Sequence, residues 1–240
     1  MKDTSHSTEI LEHHIETLNA IRNDCKMFAK GDENSERICL INTELQQGLN
    51  IIDGQPKSVT IFGSARTPET DSYYQKIVRI AERASQSGYT IISGGGPGMM
   101  EAANRGSHQA GGTSIGATIK LPFEQSTNPY VNLEVPFYYF FTRKVVMSYS
   151  AEAYVYAPGG FGTLDELFEI LTLIQTKKIP RVPVILVGEA FWNPLEQFIE
   201  NILEKEFETI SPEDRDLYII TDDEDLVQET IVNAPIRERG

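Results

Sequence analysis

Residues 157–169 read APGGFGTLDELFE, placing three glycines and a threonine between an apolar strand and a helix that carries three carboxylates. Gly159, Gly160 and Gly162 free the backbone to turn its N–H groups toward an anion. Thr163 adds a hydroxyl, and the helix that starts here contributes the positive end of its dipole. Glu166 falls about one turn into that helix, where it leans over whatever the loop holds. The spacing suits a phosphate held beside a carboxylate. A plainer role is open too, because Asp165 and Glu166 also complement the helix dipole without any ligand.

Two further stretches carry chemistry-bearing residues. SGGGPGMMEAANRG (93–106) follows a strand and opens a helix, so Gly95 and Gly96 either face a ligand or make a tight structural turn. The dinucleotide-binding fingerprint is not met, since read from Gly94 its last small position falls on Met99. No P-loop lysine follows either. FFTRKVVM (140–147) sets Arg143 and Lys144 among aromatic and apolar neighbours, as a clamp for phosphate, base or carboxylate or as a solvated pair. The aromatic run Phe137–Phe141 reads as core or subunit seam rather than as a stacking platform.

These stretches must be positioned by the elements around them. From residue 58 the chain alternates short apolar runs with amphipathic segments of helical period. The apolar runs are SVTIFGS, YTIISGGG, TSIGATI, AEAYVYAP, VPVILVG and LYIIT. Helices are expected at 71–88, 98–112, 136–150, 162–178, 193–207 and 222–233. Such alternation predicts an α/β fold, a doubly wound, Rossmann-like open parallel sheet with helices on both faces. In such sheets ligands bind beyond the carboxyl ends of the strands at the topological switch point. The loops 63–66 (GSAR), 93–98 and 158–163 belong there. Ahead of the sheet, apolar residues at helical spacing over 8–30 and 37–53 predict two N-terminal helices. The expected division is therefore an extension over 1–56 and a catalytic domain over 57–240.

Bulk properties narrow the partners. Net charge is −14, which argues against a nucleic-acid backbone or an anionic membrane. From Glu196 to Gly240 stand 14 acidic and 4 basic residues, so −10 of that charge lies in the last segment and a small anion can still bind elsewhere. No apolar run approaches a membrane span, and the first residues show no secretory pattern. Cys25 and Cys39 fit reduced thiols in a cytoplasmic protein, and neither they nor the four histidines have metal-ligand spacing.

Taken in order, SGGGPGMMEAANRG, RKVVM and PGGFGTLDELFE resemble the LOG family, whose members cleave the base from nucleoside 5′-monophosphates and whose relatives often carry the label lysine decarboxylase. The resemblance spans about residues 57–232, and the PGGxGTxxE signature matches without a departure. It implies Arg143 and Glu166 as catalytic residues and Gly159, Gly160, Gly162 and Thr163 as the phosphate cradle. It further implies Lys144 as an electrostatic hold and Glu124 and Thr172 as substrate contacts. It implies no cofactor and no metal, and a homodimer or higher homo-oligomer with the site near the subunit seam. The N-terminal helices and acidic C-terminal segment are similar to those of longer bacterial members. The reaction expected is hydrolysis of AMP or an N6-modified AMP to free base and ribose 5-phosphate.

Three competing readings are weighed against it. A non-catalytic nucleotide or molybdenum-cofactor binding protein on the same fold would have no need of both Arg143 and Glu166. Lysine decarboxylation would need a pyridoxal phosphate lysine in a setting that Lys144 lacks. A dehydrogenase falls with the fingerprint.

Overall fold

The computed structural model describes residues 20–27, 29–121 and 127–237. Seven strands, β1 (Ser58–Phe62), β2 (Thr90–Ser93), β3 (Ser114–Ile119), β4 (Leu133–Phe137), β5 (Ala153–Tyr156), β6 (Val184–Val187) and β7 (Ile219–Thr221), form one sheet. Its order is β4-β3-β2-β1-β5-β6-β7, and every pairing is parallel. Chain order therefore reverses between β1 and β5, which puts the switch point of a doubly wound sheet there. This is the α/β architecture expected from the sequence.

Helices cover both faces. On one lie α1 (Glu33–Asp53), α4 (Phe140–Ser148), α5 (Phe161–Gln175) and α6 (Glu189–Phe198), the last continued by a π-helical turn over Ile199–Glu206. On the other lie α2 (Ser72–Gln86), α3 (Met99–Gln109) and α7 (Glu224–Val232). Strand residues divide between the two cores with period two. Tyr154 and Tyr156 of β5 pack with Val184 and Leu186 of β6 on the α5 side. Ala153, Val155, Ile185 and Val187 pack on the α2 side. Strands buried on both faces explain why the apolar runs are continuous rather than alternating.

Two expectations need correction. The helix read from Pro136 begins only at Phe140, because residues 133–137 form β4, the edge strand beside β3. Leu133, Val135 and Phe137 do alternate with Glu134 and Pro136, and an edge strand tolerates the proline. Cys25 and Cys39 are not free thiols but a disulfide, with Cα atoms 5.6 Å apart. It joins the helical residues 20–27 to α1. The rest of the helix expected over 8–30 lies largely outside the described residues, whereas that expected over 37–53 is α1, begun four residues earlier. Asp32 caps α1 by accepting from the Ser35 N–H at 3.0 Å.

Candidate active site

At the carboxyl ends of β1 and β5 the loops lock onto one another. The Ser64 N–H donates to the Pro158 carbonyl at 3.0 Å, and the Met99 N–H donates to the Ser64 carbonyl at 2.9 Å. The start of α3, the loop after β1 and the loop after β5 thus form one rim. Gly98, at φ +69°, sits where a Cβ would fall 2.3 Å from the Ser64 carbonyl oxygen, so only glycine fits the junction.

Beside this rim opens a cleft of about 650 Å³, lined among others by Ser64, Arg66, Gly94, Arg143, Thr163 and Glu166. That volume is of the size that small-molecule sites occupy. Helix α5 begins against it. Its N-cap, Gly160, offers no side chain to the first turn, so helix geometry leaves the leading amides without intrahelical acceptors. Cβ atoms at Gly160 or Gly162 would meet nothing, so both positions are open. Gly159 differs, since a Cβ there would lie 2.2 Å from Thr163 Oγ1. Gly159 therefore makes room for the buried Thr163.

Arg143 of α4 and Glu166 of α5 meet in the cleft, Nη1 donating to Oε1 at 3.3 Å. The arginine is fixed from behind by Nε donating to the Ala117 carbonyl at 2.8 Å. A Cβ on Gly94 would lie 2.5 Å from its Nη2, so that glycine admits the guanidinium. Side-chain exposure is 10% for Arg143 and 15% for Glu166. Burial pushes the Glu166 carboxyl up to about 7, against the opposing pull of Arg143. A carboxyl that titrates near neutrality beside a fixed cation is suited to proton transfer or to facing a developing positive charge.

The other expected site residues are placed differently. Lys144 turns to α5, its Nζ bonding Asp165 at 2.9 Å and Glu169 at 3.0 Å. Burial opposes its charge, but those two carboxylates hold its pKa above the ordinary lysine value. Thr172 is exposed on α5 and is not among the cleft's lining residues. Gly95 and Gly96 are buried behind the cleft wall. The Gly95 N–H goes to Ser93 Oγ, while both carbonyls accept from Asn128 Nδ2 at 3.0 Å. Glu124 lies outside the described residues. Among those residues no group of three His, Cys, Asp or Glu could hold a metal, and no helix is long and apolar enough to cross a membrane.

The chain matches, over residues 100–231, the family model described as "Possible lysine decarboxylase". The curated relatives carry another name. Cytokinin riboside 5′-monophosphate phosphoribohydrolase LOG7 of Arabidopsis thaliana is 28% identical over 159 residues, 65% of this chain and 72% of its own. The enzyme of the same name, LOG, of Oryza sativa subsp. japonica is 30% identical over 149 residues, 60% of each chain. The chain belongs to the LOG family. Among solved structures, the molybdenum cofactor carrier protein MCP from Chlamydomonas reinhardtii aligns with a TM-score of 0.55 at 18% identity, covering 75% of this chain and 98% of that one. The molybdenum cofactor binding protein from Rippkaea orientalis aligns at 0.53 and 20%, covering 74% and 95%. At those identities the likeness is one of fold.

In this LOG-family chain three cleft residues escaped the sequence reading as individuals. Gly94 is the first of three consecutive glycines and is the one that faces the cleft. Ser64 and Arg66 lie in the GSAR loop, which was expected at the switch point without either being singled out. A motif marks a loop readily. Which of its residues turns inward is settled by backbone geometry that composition does not carry.

Proposed function

We propose that this LOG-family protein hydrolyses the N-glycosidic bond of a nucleoside 5′-monophosphate, AMP or an N6-modified AMP first among them, to free base and ribose 5-phosphate. One observation carries the reading. The Arg143–Glu166 pair shares its cleft with the uncapped, glycine-lined start of α5. In this proposal the leading amides of α5 and the Thr163 hydroxyl hold the 5′-phosphate, which fixes the sugar relative to Glu166. The water oxygen bonds to C1′ as the C1′–N bond breaks, and the bonding pair leaves with the base. Glu166 takes the water's proton and faces the oxocarbenium-like sugar, as carboxylates do in glycoside hydrolysis. That proton balances the one the departing base acquires, and Arg143 orients the base side. Lys144 of α4 supports the pair by holding Asp165 and Glu169 of α5, while Gly95 and Gly96 shape the loop behind it.

The proposal includes a cytoplasmic location, no cofactor, and a homodimer or larger assembly with the site near the seam. Supporting the assembly, Phe140, Phe141 and Tyr149 around α4 and Phe161 and Phe168 on α5 are all exposed next to the cleft's own helices. Decarboxylation of lysine fits these residues poorly. A Schiff-base lysine must present a neutral amine, whereas Lys144 is held charged by Asp165 and Glu169.

The test is incubation of purified protein with AMP, GMP, CMP, UMP and adenosine, followed by chromatography for free base, with Glu166→Gln in parallel. Base released from a monophosphate but not from adenosine, and lost in the variant, supports the proposal. No release from any of them, or from N6-modified AMP, overturns it in favour of a binding protein on the same fold.

A further inference from the structure

Helix α4 delivers Arg143 to the cleft, yet its own start has no local cap. Its N-cap is Tyr139, whose side chain makes no capping bond. The missing acceptor comes from the N-terminal extension. Glu44 of α1 is 2% exposed and points both carboxylate oxygens at the start of α4. The Tyr138 N–H donates to Oε1 at 2.8 Å, the Tyr139 N–H to Oε2 at 3.3 Å, and the Thr142 hydroxyl lies 2.6 Å from Oε2. A carboxylate at this end of a helix also complements its dipole. Arg143 is the next residue, and its own N–H closes the first turn onto the Tyr139 carbonyl at 3.3 Å. Glu44 thus holds both ends of the turn from which the guanidinium projects.

The helices are also pressed together one turn further on. A Cβ at Gly48 would lie 2.7 Å from Val146 Cγ2 and 3.0 Å from Phe137 Cζ, so the α1 backbone rides directly on α4. Leu45, Leu49 and Ile52 enter the same core as Val146 and Met147. Residues 20–27 brace the pair from outside. Arg22 lies over the Tyr138 ring at 5.7 Å, and Cys25 is bonded to Cys39 of α1.

We propose that Glu44 is a positioning residue for Arg143, and that the N-terminal extension is thereby a working part of the active site. The inference rests on the reading of Arg143 as catalytic. A side chain displaced by about an ångström from its productive place costs up to about a hundredfold in rate. Removing the cap moves the start of α4 while leaving the phosphate cradle on α5 in place. The loss therefore falls on kcat more than on KM.

Adenine release from AMP by Glu44→Gln, Glu44→Ala and Thr142→Val would be measured alone and combined with Arg143→Ala, together with thermal unfolding and hydrogen–deuterium exchange. Glutamine keeps one acceptor oxygen but sets its amide NH2, a donor, against another donor, so its loss is expected to be the smaller, about tenfold in kcat. In the Arg143→Ala background neither Glu44 variant should lower the rate further, because the group they position is gone. Unchanged kcat per folded molecule beside a lowered unfolding temperature overturns the proposal, and so does a loss that multiplies with that of Arg143→Ala. If Glu44→Ala does not fold, Glu44→Gln and Thr142→Val decide. If the wild-type protein releases no base from any monophosphate, the hydrolase reading has failed, and exchange over residues 137–146 judges the cap by itself. Faster exchange confined to that segment in Glu44→Gln upholds it, and unchanged exchange removes it.

Discussion

Arg143 Nη1 stands 3.3 Å from Glu166 Oε1, the arginine reaching from α4 and the carboxylate from α5 across the cleft. The pair joins two helices that follow different strands, so its geometry depends on the sheet as a whole. Burial raises the Glu166 carboxyl to about 7, and a group that must be ionised to act then gains activity as pH rises through that value. The expected kcat/KM for AMP climbs about tenfold per pH unit below about 7 and levels above it. Glu166→Gln loses about 10²–10⁴ in rate and with it this limb of the profile. A flat wild-type profile between pH 5 and 8 would count against Glu166 as the acting carboxylate.

The same shift makes a claim about stability. A carboxyl whose folded pKa lies above its unfolded value binds more protons folded than unfolded between the two, here from about 4.5 to about 7. Its contribution to stability is therefore present at low pH and lost as pH rises through that window. Glutamine mimics the protonated form at every pH. Relative to wild type, Glu166→Gln is expected to gain on the order of 1–3 kcal/mol between about pH 5 and pH 8, read from urea midpoints. A stability difference that does not change with pH would refute the raised pKa.

Gly94 separates the arginine's position from the fold. The Cβ of Gly94→Ala would sit 2.5 Å from Arg143 Nη2 and 2.6 Å from Met100 Sδ, both at or near the ends of flexible side chains. Those ends can move, so the protein is expected to fold with its unfolding temperature little changed. The guanidinium cannot stay in place, and a loss of about tenfold to a hundredfold in kcat follows. Full activity in folded Gly94→Ala would show that Arg143 need not occupy its present place.

Much of this was legible in the residues, for physical reasons. Continuous apolar runs such as VPVILVG come from strands covered on both sides, and glycines collect where loops approach one another at the switch point, as at Gly98. The 3.6-residue period of α2 and α3 left little ambiguity. What stayed hidden depended on partners distant in sequence. β4 was masked by the aromatic run that follows it, and its alternation becomes decisive only once β3 is known to lie alongside. Glu44 reads as one more acid on an amphipathic helix, and nothing local shows that it is buried against Tyr138 and Thr142. The pairing of Cys25 with Cys39 required the helical residues 20–27 to fold back onto α1.

That disulfide closes a loop between cysteines 14 residues apart. Loop-closure entropy puts its contribution at about 3 kcal/mol. Because it ties residues 20–27 to α1, its reduction should loosen the extension before the sheet. Cys25→Ser and Cys39→Ser are expected to lower the unfolding midpoint and to speed amide exchange over residues 20–52 while leaving β1 and β5 protected. Alkylation of protein taken directly from cells, read by intact mass, tells whether the bond is present there. Equal exchange in wild type and both variants would mean that the bond holds nothing together.

The aromatic surface beside the cleft sets the last expectation. Phe141 is half exposed on α4, and Phe161, 92% exposed, opens α5. The two helices that carry Arg143 and Glu166 inward thus carry bare aromatic rings outward, where their burial against a second copy would be favourable. Light scattering of the wild-type protein is expected to give at least a dimer. Phe141→Asp places a charge in the proposed seam, and a monomer with reduced activity is expected from it because α4 and α5 would lose that outer support. A wild-type monomer with full activity would separate the site from any seam, and the aromatic face would then require another partner.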